Sequence, residues 1–208
     1  MKLAVLTEVS TSAKNIDVIN ALKEMPHEVY NLGMKGVEGE PTLTTVETGF
    51  MSALLLNLGY VDMVIGGCGT GQGYMNSVLQ YPKVICGLIN DPLNAWLFPQ
   101  INGGNCVSLA LNKDYGWAGD INLKFILTHL FDVAPGGGYP ESRREPQKII
   151  RKNQAKVSEA THYPFVDIIN RIDPNIVKAS LEFPGFLQFL KDNNIEKEPI
   201  WDELKKFI

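Results

Sequence analysis

The sequence predicts an α/β protein: a three-layer α/β/α, Rossmann-like domain with a five-stranded parallel sheet over residues 1–134, then a Gly/Pro-rich connector and a helical C-terminal extension over 135–208. Three observations predict it. Short β-branched and aliphatic runs alternate with helical patterns through the first two-thirds, the mark of βαβ units around a parallel sheet. The third apolar run passes straight into Gly-Cys-Gly-Thr-Gly-Gln-Gly at 67–73, where an open α/β sheet keeps its ligand loops. At Ala134–Pro140, two prolines and three consecutive glycines break the alternation, and only helical spacing follows.

Taken in order, Lys2–Leu6 is a compact apolar run and the first strand. Ala13, Ile16, Ile19 and Leu22 recur at three-residue steps, which predicts an amphipathic helix closed by Pro26. Glu28–Asn31 reads as a short second strand, and a second helix spans roughly Leu43 to Leu58, with Gly59 where a left-handed cap belongs. Val61–Gly66 is the third strand and Lys83–Ile89 the fourth. Asp91-Pro92 opens a helix, with Asp as the cap and Pro at the first helical position. Asn105–Leu111 is the fifth strand, and Leu123, Ile126, Leu127 and Leu130 mark the core face of the helix after it. The extension begins with a basic cluster, Arg143, Arg144, Lys148, Arg151 and Lys152, and continues with apolar spacing from Phe165. About 65 residues of tail are too few for a separate core, so it reads as a cap or a subunit-packing arm.

Composition narrows the function. With 45% hydrophobic and 20% charged residues, the 208-residue chain has the makings of a core, and its net charge of −4 sets up no field to attract a nucleic-acid backbone. No apolar run reaches bilayer-spanning length, and the amino terminus enters a strand pattern without a signal-type segment, so a cytoplasmic protein is expected. Three cysteines, Cys68, Cys86 and Cys106, do not make a disulfide framework. His27, His129 and His162 are isolated, and no metal-ligand spacing occurs.

The loop 67–73 carries the chemistry. Its glycines let the backbone approach a ligand and turn N–H groups inward, building an anion cradle. The spacing is neither the dinucleotide fingerprint nor a Walker loop. A thiol and a hydroxyl, Cys68 and Thr70, stand inside the cradle. Cys68 has two readings: a small apolar residue at a tight turn, or a nucleophile or base whose thiolate a helix N-terminus favours. Cys86 and Cys106, within strands, read as inert core residues.

Glu8 after the first strand, Cys-Gly-Thr-Gly-x-Gly at 68–73 and Asn102-x-x-Asn105 before the fifth strand resemble the ribose-5-phosphate isomerase B and galactose-6-phosphate isomerase family, over about residues 1–144. The longer tail resembles a long-chain branch of that family. The resemblance implies strand order 2-1-3-5-4, a homodimer or dimer of dimers with sites shared across the subunit interface, and no metal or organic cofactor. It implies interconversion of an aldose phosphate and a ketose phosphate through an enediolate. Cys68 would be the base. Gly69, Thr70, Gly71 and Gly73 would hold the enediolate oxygens, with Asn102 as a further donor and Asn105 and Asp91 beside the substrate. Arg143 or Arg144, from the partner subunit, would take the phosphate, with Lys14 in competition. The alternative is a non-catalytic sugar-phosphate-binding protein using the same cradle.

Two departures from the family matter. Its Asp-His pair after the first strand is here Glu8-Val9, and its ring-opening histidine positions are here Ile101 and Asn90. Either a carboxylate, Glu8 or Asp91, opens the ring instead, or the substrate has no ring to open, as with a tetrose 4-phosphate.

Overall fold

The computed structural model describes all 208 residues, Met1 to Ile208. Five strands form one sheet in the order β2-β1-β3-β5-β4: β1 Lys2–Leu6, β2 Glu28–Asn31, β3 Met63–Cys68, β4 Cys86–Ile89 and β5 Cys106–Ala110. Every pairing is parallel, so each connection must return along the outside of the sheet, and helices make the return. These are α1 Asn15–Leu22, α2 Thr45–Leu58, α3 Gln72–Val78, α4 Pro92–Asn102 and α5 Gly119–Phe131.

Strand side chains alternate between the two faces. Leu3, Val5, Met63, Ile65, Val107 and Leu109 pack with residues of α1, α4 and α5. Ala4, Leu6, Val64, Cys68 and Cys106 face the opposite layer, built from α2 and α3. Helix α2 is buried from Thr48 to Leu55, without the polar outer face that a surface helix keeps. The extension supplies the reason. Helices α7 Phe165–Ile169, α8 Pro174–Glu182, α9 Phe186–Asp192 and α10 Trp201–Leu204 contribute Phe165, Phe186 and Leu190 to the same hydrophobic cluster as Phe50 and Leu54 of α2. The Phe50 and Phe165 rings stack with centroids 5.9 Å apart. Helix α6, Arg144–Thr161, differs from all the others in having no buried residue.

Several boundaries differ from the sequence reading. β3 starts and ends two residues later, at Met63 and Cys68, so Cys68 closes the strand instead of opening the loop. β4 begins at Cys86 and not Lys83, because Lys83 holds a left-handed φ of 61° that no strand accommodates. The first helix buries Asn15, Val18, Ala21 and Leu22, while Ile16 is 57% exposed. An unbroken three-residue spacing drifts around a helix of 3.6 residues per turn, and the stretch Val9–Lys14 is a 3-10 helix. The ends of α2 and the start of α4 follow their capping residues. Thr44 and Glu47 form a capping box, Gly59 caps at φ 68°, and Asp91 accepts the Asn94 amide at 2.7 Å.

Truncating Phe186, fully buried at the seam between the extension and α2, tests whether the two unfold together. Phe186→Ala should lower the unfolding free energy by about 3–5 kcal/mol. In urea, fluorescence and circular dichroism should follow one coincident transition.

Candidate active site

The sheet order places its crevice between β1 and β3, since the chain leaves β1 toward β2 on one side and returns to β3 on the other. Two chain segments meet there, Thr7–Ser10 after β1 and Cys68–Gly73 at the end of β3.

β3 reaches this point through close backbone approaches. A β-carbon at Gly66 would stand 2.1 Å from the Tyr74 ring, and one at Gly67 would stand 2.4 Å from the Leu109 carbonyl oxygen of β5. Gly71 adopts φ 75°, and a side chain there would strike Leu88. Glycine is required at all three positions. The turn that results is tightly pinned: the Cys68 carbonyl accepts the amides of Gly71 and Leu111, and the Gly69 carbonyl accepts those of Asn112 and Lys113.

Cys68 is 7% exposed, at the carboxyl end of β3. Its sulfur points toward Gly73: a β-carbon there would lie 3.6 Å from Sγ and 3.6 Å from the Thr45 methyl at the start of α2. The other two cysteines sit deeper in the sheet. Cys106 lies within 3.4 Å of the Tyr74 hydroxyl, which in turn meets Ser52 at 2.6 Å. Hydrogen bonding to Cys106, with burial, pushes the Cys86 thiol far up, and burial does the same to the Tyr74 phenol, so both stay neutral.

Across the crevice, Glu8 is 4% exposed and caps the 3-10 turn. Its carboxylate accepts the Ser10 amide at 3.0 Å, the Thr11 hydroxyl at 3.2 Å and the Ser10 hydroxyl. Ser10 Oγ also accepts the Gly69 amide at 3.3 Å, and the Ser10 carbonyl accepts the Asn112 side-chain amide at 2.9 Å. Ser10 and Asn112 thus belong to the crevice although the sequence did not single them out. The available signal was Ser10 two residues beyond Glu8, the spacing of a side-chain cap.

The remaining candidates divide by location. Thr70 is exposed on the turn, its hydroxyl accepting the Gln72 amide at 3.4 Å. Asp91 lies at the same carboxyl edge, but its carboxylate is engaged as the α4 cap. Asn102 ends α4 at the opposite edge, because the 11-residue helix travels about 16 Å back along the sheet. It lines a cavity of about 720 Å³ with Cys86, Phe98, Gln154 and His162. Asn105 is a strut at that edge, accepting the Ile85 amide and donating to the Lys83 carbonyl, both at 2.8 Å, so its amide serves the entry to β4. Arg144 donates to the Gly137 carbonyl at 2.6 Å, and Arg143 is exposed beside it. Arg151, not singled out as a site residue, ties α4 to the connector through the carbonyls of Ile101 and Gly136. Lys14 lies over the Tyr115 ring, 4.3 Å from its centroid. His129 pairs with Asp132 and His162 with the Ser158 carbonyl, so neither enters the crevice. No group of three His, Cys, Asp or Glu side chains is placed to hold a metal ion, and no helix is long and apolar enough to cross a membrane.

The fold is a doubly wound α/β sheet with a thiol, a glycine turn and a capped carboxylate at its switch point, and comparison with known proteins gives its class, a sugar isomerase. The family model described as Ribose/Galactose Isomerase matches residues 4–128, and the chain belongs to that family. A 4-deoxy-L-threo-5-hexosulose-uronate ketol-isomerase, crystallised with a tartrate, is 36% identical over 100% of this chain and 99% of its own, with a TM-score of 0.95. Ribose-5-phosphate isomerase from Vibrio parahaemolyticus is 35% identical over the same shares, with a TM-score of 0.94. The Thermotoga maritima ribose 5-phosphate isomerase, 20% identical over 70% of this chain and 96% of its own, with a TM-score of 0.56, shares the fold. Among curated proteins no sequence matches.

Gly73 offers a test of the crevice that spares the fold. It has no left-handed φ, and its added β-carbon would meet only ordinary contacts, the nearest 3.6 Å away. Gly73→Ala should leave the melting temperature unchanged or raise it, since alanine favours a helix by up to about 1 kcal/mol. Isomerase turnover should fall at least about tenfold, the methyl narrowing the space beside the Cys68 sulfur.

Proposed function

We propose that the protein interconverts an aldose and a ketose through an enediolate, with Cys68 as the base that moves the proton between C2 and C1. The observation that carries this is the Cys68 sulfur at the end of β3, against Gly73 and beside the switch-point crevice. Charge develops on the sugar oxygens as the C–H bond breaks, and preorganised donors on the turn 69–73 would stabilise it without reorganising. The first amides of α3 have no carbonyl of their own helix to bond. Thr70 adds an exposed hydroxyl.

The substrate reading favours an open-chain sugar acid. Both carboxylates that might open a ring, Glu8 and Asp91, are committed as caps, and no histidine lies in the crevice. The uronate named for the 36%-identical relative needs no ring opening. Its C4 carries no hydroxyl and its C5 is a carbonyl, so neither position offers a hydroxyl to close a five- or six-membered ring on C1. A small phosphorylated sugar is the second reading, favoured by the ribose-5-phosphate isomerase at 35% identity. Guanidinium groups suit either anion, since carboxylate and phosphate both bind bidentately.

Two copies of the chain would complete each site. Cys68 lies at one edge of the sheet, whereas Asn102, Arg143 and Arg144 lie at the other, separated by the length of α4. A twofold dimer would bring one edge of each copy to the opposite edge of its partner. Helix α6 supports the reading. Its 18 residues bury nothing, and Ile149, Ile150 and Val157 are exposed on it, so its own chain gives it little tertiary support. It is basic, while the chain as a whole carries −4, which suits a seat on the acidic body of a second copy. The three free thiols fit a cytoplasmic, reducing setting.

Two measurements test these readings. In deuterated water, the wild-type enzyme should place label at C2 of 4-deoxy-L-threo-5-hexosulose uronate while forming the ketose, and Cys68→Ala should abolish both. Ribose 5-phosphate turned over faster than the uronate would reverse the order of the substrate readings. Co-expressing Cys68→Ala with Arg143→Ala/Arg144→Ala chains should restore activity that neither homodimer has. Two inactive parents giving an inactive mixture would overturn the shared site.

A further inference from the structure

An aldose–ketose isomerase must move two protons, one between carbons and one between oxygens. Cys68 accounts for the first. We propose that Ser10, backed by Glu8, carries the second, shuttling the hydroxyl proton between O2 and O1 of the enediolate. This assignment rests on the reading of Cys68 as the carbon base.

The argument begins with what Glu8 cannot do. It is 4% exposed and its carboxylate already receives three donors, the Ser10 amide, the Thr11 hydroxyl and the Ser10 hydroxyl. It therefore has no direct path to a sugar in the crevice. Two of those donors are enclosed: the amide belongs to the turn, and Thr11 is 1% exposed. The Ser10 hydroxyl is the third, on an exposed residue, and it faces both the carboxylate and the Gly69 amide. The proton-accepting capacity of a buried carboxylate thus has one outlet to the crevice.

That outlet adjoins the reacting centre. The Gly69 amide nitrogen is bonded directly to the Cys68 backbone, and Ser10 Oγ lies 3.3 Å from it. The contact is long for an N–H···O bond, so a sugar oxygen arriving at the Gly69 amide can replace it at little cost. The oxygen would then lie beside the hydroxyl it displaced. The Asn112 side chain holds the Ser10 carbonyl at 2.9 Å and keeps the serine in register with the turn. Thr70, the other hydroxyl nearby, lacks a carboxylate behind it and accepts the Gln72 amide instead.

The step balances. The O2–H proton passes to Ser10 Oγ as the serine's own proton passes to the Glu8 carboxylate. The carboxylic acid so formed then returns a proton through the same hydroxyl to O1. One sugar O–H bond breaks, one forms, and both side chains end as they began.

Partitioning of the enediolate tests the assignment. Without the oxygen relay, the intermediate still forms at Cys68, but it returns to the aldose with solvent hydrogen at C2 instead of going on to the ketose. Ser10→Ala, assayed in deuterated water with the uronate and with ribose 5-phosphate, should lower ketose formation about 100-fold. It should also raise the ratio of C2-labelled aldose to ketose at least about tenfold. Glu8→Gln should shift the ratio in the same direction, and Ser10→Thr should restore it. A merely structural role would slow labelling and isomerisation in parallel, and that result overturns the proposal. So does a ratio that shifts in Thr70→Ala and not in Ser10→Ala. Label persisting in Cys68→Ala would instead sink the carbon-base reading, which keeps the two failures apart.

Discussion

The crevice depends on how closely neighbouring groups pack against three glycines at the end of β3. Gly66 admits the Tyr74 ring, Gly67 admits the Leu109 carbonyl, and Gly71 turns the chain through a left-handed φ beneath Leu88. A β-carbon at Gly66 would push against α3, one at Gly67 against β5 and one at Gly71 against Leu88 of β4, and the Cys68 sulfur would lose its place against Gly73. The Tyr74 ring completes the arrangement from below. Its hydroxyl is satisfied by Ser52 and Cys106, so a polar atom is buried at the base of α3 without being left unpaired. The cradle is therefore a packing result before it is a chemical one: glycine at 66 admits Tyr74, glycine at 67 serves the sheet, and the course of the turn follows from that.

This is why the fold was so legible in the sequence and the site only partly so. β1 and β2 carry the bounds the sequence predicts, α2 stops at Gly59 and α4 starts at Asp91, because strands and caps are local in origin. Cys68 and its turn were legible too, since glycine spacing after an apolar run is a local signal. What adjoins the turn was not. Ser10 and Asn112 reach Gly69 across 59 and 43 positions of sequence, and nothing near Ser10 or Asn112 announces the contact. The roles of Asp91 and Asn105 were misleading for the complementary reason. Their local signals, a cap and a polar residue before a strand, are satisfied by backbone groups, which leaves less of each side chain for a substrate.

The extension contributes in two unlike ways, and charge and burial tell them apart. From Phe165 onward it covers the outer face of α2 and merges with its core, which is why α2 can be apolar all round. Helix α6 instead stays on the surface, held to α4 and the connector by Arg151, with Lys148, Lys152 and its isoleucines exposed. An 18-residue helix with that composition gains little from its own chain. A second copy bringing Cys68 to it would supply both the missing apolar contact and a use for its arginines.

The absence of a free acid near the crevice bears on substrate more than any single contact does. Opening a sugar ring requires an acid that protonates the ring oxygen as well as a group that takes the hydroxyl proton, and Ser10 on Glu8 would serve only the second. Here Glu8 is enclosed by three donors, Asp91 holds an amide of α4, His129 and His162 bond elsewhere, and His27 packs against the Phe131 ring. A substrate that is already linear makes no such demand. It asks only for a base at carbon, donors for the developing oxyanion and a route for one hydroxyl proton, the roles proposed above for Cys68, the turn amides, and Ser10 on Glu8. A carboxylate at the far end of such a chain would also match the arginines of a partner subunit as well as a phosphate does. On the open-chain reading proposed above, the absence of the ring-opening histidines is no gap, since such a substrate has no hydroxyl with which to cyclise.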